Sequence, residues 1–400
     1  MSKKLQALVV AIVSLPVSAE AGLQPISDEQ MSEVTGQAFL SVDRQYHPDP
    51  ENTTSYTRVN LGMDIEIQTN VDVLELGRYE REGEKAGSSD VLIRDFALGY
   101  INNQAYYQRN PKAARQYRPD GSSYNENEIV PFMIDNPFFE FAFDEATNEV
   151  VGVRLGFGDA MGVLSGKIET LTGNVNVDII DRGEGLRDAS SSGNFFDQLI
   201  VLLTPLLEGG SPLATKAQLV YGDDNDPRVG ELDPIRAEYI GIPNGEKFVL
   251  ENAGSFTRWS VKNLIGWGSS SEIEVPNCSF FSCGSGDIYV YADGCRVLGI
   301  GACFDLDMYN SFPIGQVEEV NGERRLTGPA DGAFISFQTK DLDWLKDVKK
   351  SDLTVEDFIR ATSGAFFNIP NGATEVNLNE ALNGTDRYRT EYIDRGRGLF

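Results

Sequence analysis

One histidine, His47, is all the imidazole in this 400-residue chain. A Ser-His-Asp or Cys-His catalytic arrangement would hang on that residue, and it lies in a polar, proline-containing loop. No G-x-S-x-G occurs. GVLSGK at Gly162 to Lys167 has one residue too few between its glycines for a phosphate loop and lacks the following Ser or Thr. GFGDAMG at Gly156 to Gly162 spaces its glycines wrongly for a dinucleotide turn, so both stretches read as glycine-bearing β turns. Basic residues are also scarce: 34 Lys and Arg stand against 61 Asp and Glu, a formal charge of −27. Nucleic acid and anionic membrane surfaces would repel such a chain, which excludes nucleic acid as a partner class. Its acidity reads first as a solvated, dispersing surface. Beyond the run Leu5 to Leu15 there is no long apolar stretch, and about 20 such residues are needed to span a bilayer as a helix. A transmembrane helix is excluded.

What is present begins with Lys3 and Lys4, then that short apolar run, then small residues at Ala19 and Ala21. This is the order of a secretory signal, assigned to residues 1–21. Residues 22–45 are expected to form a capped helix and a first strand. Ser27 is the N-cap, Gln30 reaches back to the cap, Ile26 and Met31 form an apolar staple, and Gly36 closes the helix. So short a helix must dock on something.

Composition, with 41 % hydrophobic and 10 % aromatic residues, is that of a folded body. Its patterning is β almost throughout. Val59, Leu61, Met63, Ile65 and Ile67 alternate with polar residues, as a half-buried strand would. Phe139, Phe141 and Phe143 repeat the pattern, and after DEATNE so do Val151, Val153, Leu155 and Phe157, which predicts a hairpin with these residues inward. Val175, Val177 and Ile179 form a further instance, and the longest runs through Leu298, Ile300, Ala302, Phe304, Leu306 and Met308. Alternation on one side favours antiparallel sheets. The expected fold is all-β, in sandwich-like or elongated sheets, with a few short helices and a small mixed α/β C-terminal portion. The body spans 46–340 and the C-terminal portion 341–400. Helices are expected at Asp197 to Leu207 and at Thr354 to Thr362, the latter with Thr354 as N-cap and Asp357 three residues on. Loops fall at 83–90, 109–128, 183–194, 208–213 and 222–234.

Four cysteines, Cys278, Cys283, Cys295 and Cys303, lie close together in a chain that carries an export signal, which points to two disulfides. The favoured pairs, Cys278 with Cys283 and Cys295 with Cys303, each close a short loop; strand register could still force crossed pairings. Zinc is disfavoured by the spacing and by an oxidising compartment.

Three features invite a binding role. Asp223, Asp224, Asn225 and Asp226, with Glu231 and Asp233 downstream, offer oxygen ligands for Ca²⁺, but without the central glycine and terminal Glu of an EF-hand. A solvated acidic turn is the favoured reading, so no metal site or cofactor is assigned. Trp259 and Trp267 flank a Gly-rich stretch, and Tyr289 and Tyr291 lie one strand period apart. They would serve either as stacking surfaces or, more simply, in cross-strand packing. RGRG at Arg395 to Gly398 and the terminal Phe400 raise an outer-membrane barrel, which the non-alternating last segment RTEYIDRGRGLF disfavours. No catalytic residue is nominated.

The run L-x-x-I-S-D-E-Q-M-S-E-V-T-G-Q-A, Leu23 to Ala38 just behind the signal, resembles the opening of a largely uncharacterised group of gammaproteobacterial exported proteins that includes Fil-type pilus-system proteins. The resemblance covers residues 5–42, with fainter echoes at Val151 to Ile179 and in GAFFNIPNGATEVNLNEALNG and EYIDRGRGLF. It implies a surface or filament-associated role in a Gram-negative envelope, at the periplasm, cell surface or beyond, and brings no catalytic residue with it. The expectation is an exported structural or interaction protein, with protein partners or self-assembly. The alternatives are an outer-membrane barrel, and a secreted β domain that binds or hydrolyses polysaccharide or lipid.

Overall fold

The computed structural model describes residues 40–181, 191–201 apart from 196, and 212–391. The export signal, the capped helix of 22–39, the second half of the Asp197 to Leu207 helix and the RGRG end lie outside the described residues. So do most of the loops expected at 183–194 and 208–213.

The fold is mainly β, built from large, mostly antiparallel sheets with few short helices. The larger sheet begins at the edge strand Leu40–Tyr46 and continues through Thr54–Leu61, Phe138–Asp144, Glu149–Gly156, Phe334–Gln338 and Gly364–Ile369. It then passes to Gly173–Asp181, Leu213–Val220, Lys247–Ala253 and Gly286–Tyr291, and ends at Ile273–Glu274. The path has two ends, so these strands do not close on themselves. Its parallel pairings are those of Gly173–Asp181 with Gly364–Ile369 and with Glu375–Val376. The second sheet runs Asp64–Ile67, Phe132–Asp135, Asp159–Leu171, Ser89–Leu98 and Thr69–Arg78. Val91 and Ile93 of the second sheet and Val175 and Phe367 of the first share one apolar core. A buried ion pair fastens the sheets beside it. Asp90 accepts from Arg236 Nε at 3.0 Å and, through its other oxygen, from the Ala365 backbone N–H at 2.9 Å.

The expected strand Val59 to Ile67 is two strands in two sheets. Thr54–Leu61 pairs with Phe138–Asp144, and Asp64–Ile67 with Phe132–Asp135. The ribbon bends where Gly62 and Met63 lie beside Asn136 and Pro137; Asn136 has φ 51°, and Pro137 has no N–H to continue the ladder. The expected strand Leu298 to Met308 is also broken. Leu298 and Gly299, with φ of 50° and 71°, make a turn between Arg296–Val297 and Ile300–Gly301. Thr354 and Asp357 do form the reciprocal cap, but only on the one-turn helix Val355–Asp357, after which Phe358–Ala361 is a strand. There Ile359 and Arg360 follow the pairing of Trp344 and Asp343 in place of helix. In the C-terminal portion, Gly364–Ile369 and Glu375–Val376 belong to the large sheet, and helix Leu378–Asn383 is capped by Asn377.

The hairpin Phe138–Asp144 to Glu149–Gly156 is present; Val151, at a bulge, is buried as expected, but over Phe138–Ala142 and Gly152–Gly156 the faces are reversed. Phe139 is exposed, while Phe138, Glu140 and Ala142 are buried, as are Gly152, Arg154 and Gly156 opposite. The inward face therefore carries charge. Glu140 lies between Arg58, whose Nε donates at 2.9 Å, and Arg154, whose Nε is 2.6 Å away. The Arg154 guanidinium also packs over the rings of Phe334 and Trp344 at 5.0 Å and donates to the Leu345 carbonyl at 2.7 Å. The hairpin Leu342–Leu345 to Phe358–Ala361 lies over this face and seals it, with Trp344 fully buried.

Candidate functional site: an exposed aromatic patch

The segment from Ser255 to Gly268 is a continuous helix of changing register: α over Ser255–Ser260, π over Val261–Ile265 and 3-10 over Gly266–Gly268. Its polarity is partly inverted: Val261 and Ile265 pack on the core and Lys262 is exposed in the ordinary way, but other residues are exchanged. Thr257, Arg258, Ser260 and Val261 are buried. Phe256, Leu264 and Trp267 stand 70, 57 and 83 % exposed on the other side, at spacings of eight and three that keep them on one stripe. Trp259, half-buried, lies near the same stripe. A soluble helix normally hides such residues.

The reason lies in what Arg258 holds. Its guanidinium donates to the carbonyls of Gly284 at 2.5 Å, Asp287 at 3.3 Å and Pro276, all flanking the Cys278–Cys283 disulfide. Between those cysteines the chain makes a four-residue tip, Ser279 to Ser282, in which Ser279 N–H donates to the Ser282 carbonyl at 2.8 Å. Phe280 and Phe281 are at its apex, 62 and 94 % exposed. Trp259 Nε1 donates to the Phe280 carbonyl at 2.9 Å, and the rings of Trp259 and Phe280 lie 5.8 Å apart. Phe280 and Phe281 meet edge to face at 5.2 Å. Arg258 and Trp259 thus brace the tip against the helix, and both elements carry exposed apolar side chains.

The polar ends of the patch are tied inward. Trp267 Nε1 donates to the Lys262 carbonyl at 2.6 Å, so the indole ring is left to solvent with no donor unpaired. After the helix, Ser269 and Ser270 hydroxyls donate to Asp197 at 2.6 and 2.5 Å. Burial works against the Asp197 charge, and these bonds outweigh it, holding the carboxyl below its ordinary range. An isolated surface apolar residue needs no explanation; five on one helix and the tip it braces are a candidate contact site.

The other candidates fall elsewhere. Tyr289 and Tyr291 stand half-buried on Gly286–Tyr291, with Lys247 Nζ 4.8 and 5.8 Å from their ring centres. The Tyr291 hydroxyl donates to Glu274 at 2.6 Å, which pushes its pKa up to about 12. They are cross-strand packing beside a cation. In the acidic loop, Asp223 accepts from Asn225 N–H at 2.9 Å and Asp226 from Arg228 Nη2 at 2.7 Å, so these carboxylates serve turns and an ion pair. Among the described residues no cluster of three or more His, Cys, Asp or Glu is placed to hold a metal. His47 packs against Phe358 with the rings tilted by 55° and their centres 4.4 Å apart, its Nδ1 accepting from the Asp49 N–H. Of the two glycine stretches expected as turns, the first holds one: Gly156 ends a strand and Gly158 (φ 60°) turns into the next, where a side chain would lie 2.1 Å from the Asp135 carbonyl, whereas Gly162 to Lys167 are not a turn but lie inside the strand Asp159–Leu171.

Cys295 and Cys303 form the second disulfide. Two disulfides and no free cysteine among the described residues fit an oxidising, extracytoplasmic compartment. Among those residues no helix is long and apolar enough to cross a membrane. Sequence reasoning named Trp259 and Trp267 but missed the helix between them and the two phenylalanines. A signal for the latter existed: a four-residue disulfide loop is too small to bury two aromatic rings of its own.

Residues 1–49 match a family of unknown function (DUF6160). No curated protein and no solved structure matches the chain.

Proposed function

We propose that this chain is an exported cell-envelope protein that works by contact rather than catalysis, and that the Trp267–Phe281 patch makes the contact. The observation that carries the proposal is the partly inverted helix. Its charged Arg258 is spent on holding the disulfide tip, while Phe256, Leu264, Trp267, Phe280 and Phe281 are kept in water. Exposing that much apolar surface is unfavourable for the isolated molecule by roughly 25 cal/mol for each Å², and burial against another surface recovers it. The export signal, the two disulfides and the resemblance of residues 5–42 to filament-associated exported proteins support an envelope setting, at the periplasm or cell surface of a Gram-negative bacterium. The edge strand Leu40–Tyr46 has one side without a paired neighbour among the described strands and adds a second route to assembly.

The test is a photo-crosslinking residue at position 281, read in intact cells. A defined adduct is expected there and not from a crosslinker at Val355, which is also apolar and exposed but belongs to a different element, the one-turn helix Val355–Asp357. No adduct at 281, with all of the protein recovered free from the soluble periplasm, would overturn the proposal.

A further inference from the structure

Directly beneath the patch helix lies a cavity of about 80 Å³. Its floor is the large sheet, with Ile179, Ala217, Leu250 and Ile288 facing in. Thr257 and Val261, from the buried side of the patch helix, form its roof, and Leu378 and Ala381 of the C-terminal helix close one side. Among the described lining residues the side chains are apolar apart from the Thr257 hydroxyl and that of Tyr309, which donates to the Ala381 carbonyl. None of the buried polar atoms without a partner belongs to a lining residue. Water placed there would have almost nothing to bond, so the space is dry. Every wall atom facing it also lacks the dispersion partners that close packing would supply. The site therefore selects hydrocarbon.

Size narrows the ligand further. Apolar cavities of roughly 150 Å³ take up benzene, and this one is about half as large, which suits a slender chain end and not a ring. Position adds a second, independent observation. The roof is the same helix whose outer side carries Phe256, Leu264 and Trp267, and its middle turn is π, a register that recurs at functional sites. One helix thus separates an exposed apolar surface from an unfilled apolar interior.

We propose that this cavity is a binding site for the end of a single alkyl chain, such as those of fatty acids and lipids. Dispersion contacts with the wall hold the terminal carbons, and the polar head stays outside in water. This goes beyond the contact role assigned to the patch and does not depend on it.

Dodecanoate carrying ¹³C in its terminal methyl is the probe, titrated into the purified full chain and followed by NMR. A saturable bound signal with cross-peaks to Ile and Leu methyl groups is expected. Ala217→Leu and Ala381→Leu, each of which fills the cavity, should weaken binding at least tenfold while melting no lower than the unaltered protein. Phe281→Ser and Trp267→Ser should leave free dodecanoate binding unchanged. The absence of a saturable signal would overturn the proposal. So would a signal abolished by Phe281→Ser and Trp267→Ser yet untouched by the filling variants, since that is adsorption to the patch. Phosphatidylcholine vesicles in place of dodecanoate separate the sources: uptake from vesicles assigns a membrane lipid, and uptake from solution alone assigns a free acid. Crosslinking from position 281 reads the patch only, so either proposal can fail while the other stands.

Discussion

Glu140 Oε2 and Arg154 Nε meet at 2.6 Å, with both side chains out of contact with water. Arg58 approaches the other carboxylate oxygen, so one acid serves two bases. Burial pulls the Arg154 guanidinium below its ordinary value, and Glu140 is the main force opposing that. Breaking a buried pair leaves an uncompensated charge, which costs about 3–5 kcal/mol. Glu140→Gln should therefore lower unfolding free energy by about that much in a denaturant titration. A loss below about 1 kcal/mol would mean that water reaches the arginines.

Gly156 tests the same face by volume. A Cβ there would fall 1.9 Å from the Phe138 ring, within a hairpin already sealed by Trp344. Overpacking of this kind costs about 1–3 kcal/mol. Gly156→Ala should melt lower, and adding Phe138→Leu should restore part of the loss. If the double variant is no better than the single one, the clash is not the cause.

The Cys278–Cys283 bond closes a very short loop, so its removal should cost only about 2 kcal/mol of global stability. Its larger effect is local. Cys278→Ser with Cys283→Ser should reduce crosslinking from position 281 severalfold while the circular dichroism spectrum is kept. Unchanged crosslinking would show that Trp259 and Arg258 hold the tip unaided.

Asp233 is pushed up to about 6 by burial, against an ordinary 3.8, with Ile235 N–H giving a weaker opposing bond at 3.3 Å. Its folded-state value lies above its unfolded one, so its favourable contribution is complete below pH 3.8 and lost as pH rises through about 6. Asp233→Asn cannot ionise and escapes that loss. The variant should gain melting temperature over the parent between pH 5 and pH 8; a difference that stays constant across that range would contradict the assignment.

Trp267 and Phe281 make few contacts of their own, so Trp267→Ser and Phe281→Ser should each leave stability within about 0.5 kcal/mol. Recovery of any crosslinked partner through a neighbouring patch position such as Phe280 should nevertheless drop severalfold. A large fall in melting temperature would instead make these residues part of the core.

Local chemistry was legible along the chain. The Asp144–Glu149 turn, the Thr354–Asp357 cap and the glycine turn at Gly158 depend on residues within a few positions, and each is where its motif stands. The two disulfides formed in the favoured pairing, each across a short loop. Breaks in strands were less legible, because Pro137 interrupts the partner of Val59 to Ile67 and not the run itself.

By itself, then, the sequence determined that the chain alternates, turns and is stapled, and so that it is β. Alternation declares two faces but does not say which is covered. The large sheet hides Glu140 and Arg154 because a hairpin some 190 residues after Arg154 supplies Trp344, Leu345 and a carbonyl to receive them. Likewise the helix that carries Trp259 and Trp267 became a surface because Arg258, next to Trp259, found its carbonyl partners beside the disulfide tip and turned the helix outward. Both outcomes depend on partners far away in the chain, and only the tertiary structure brings them together.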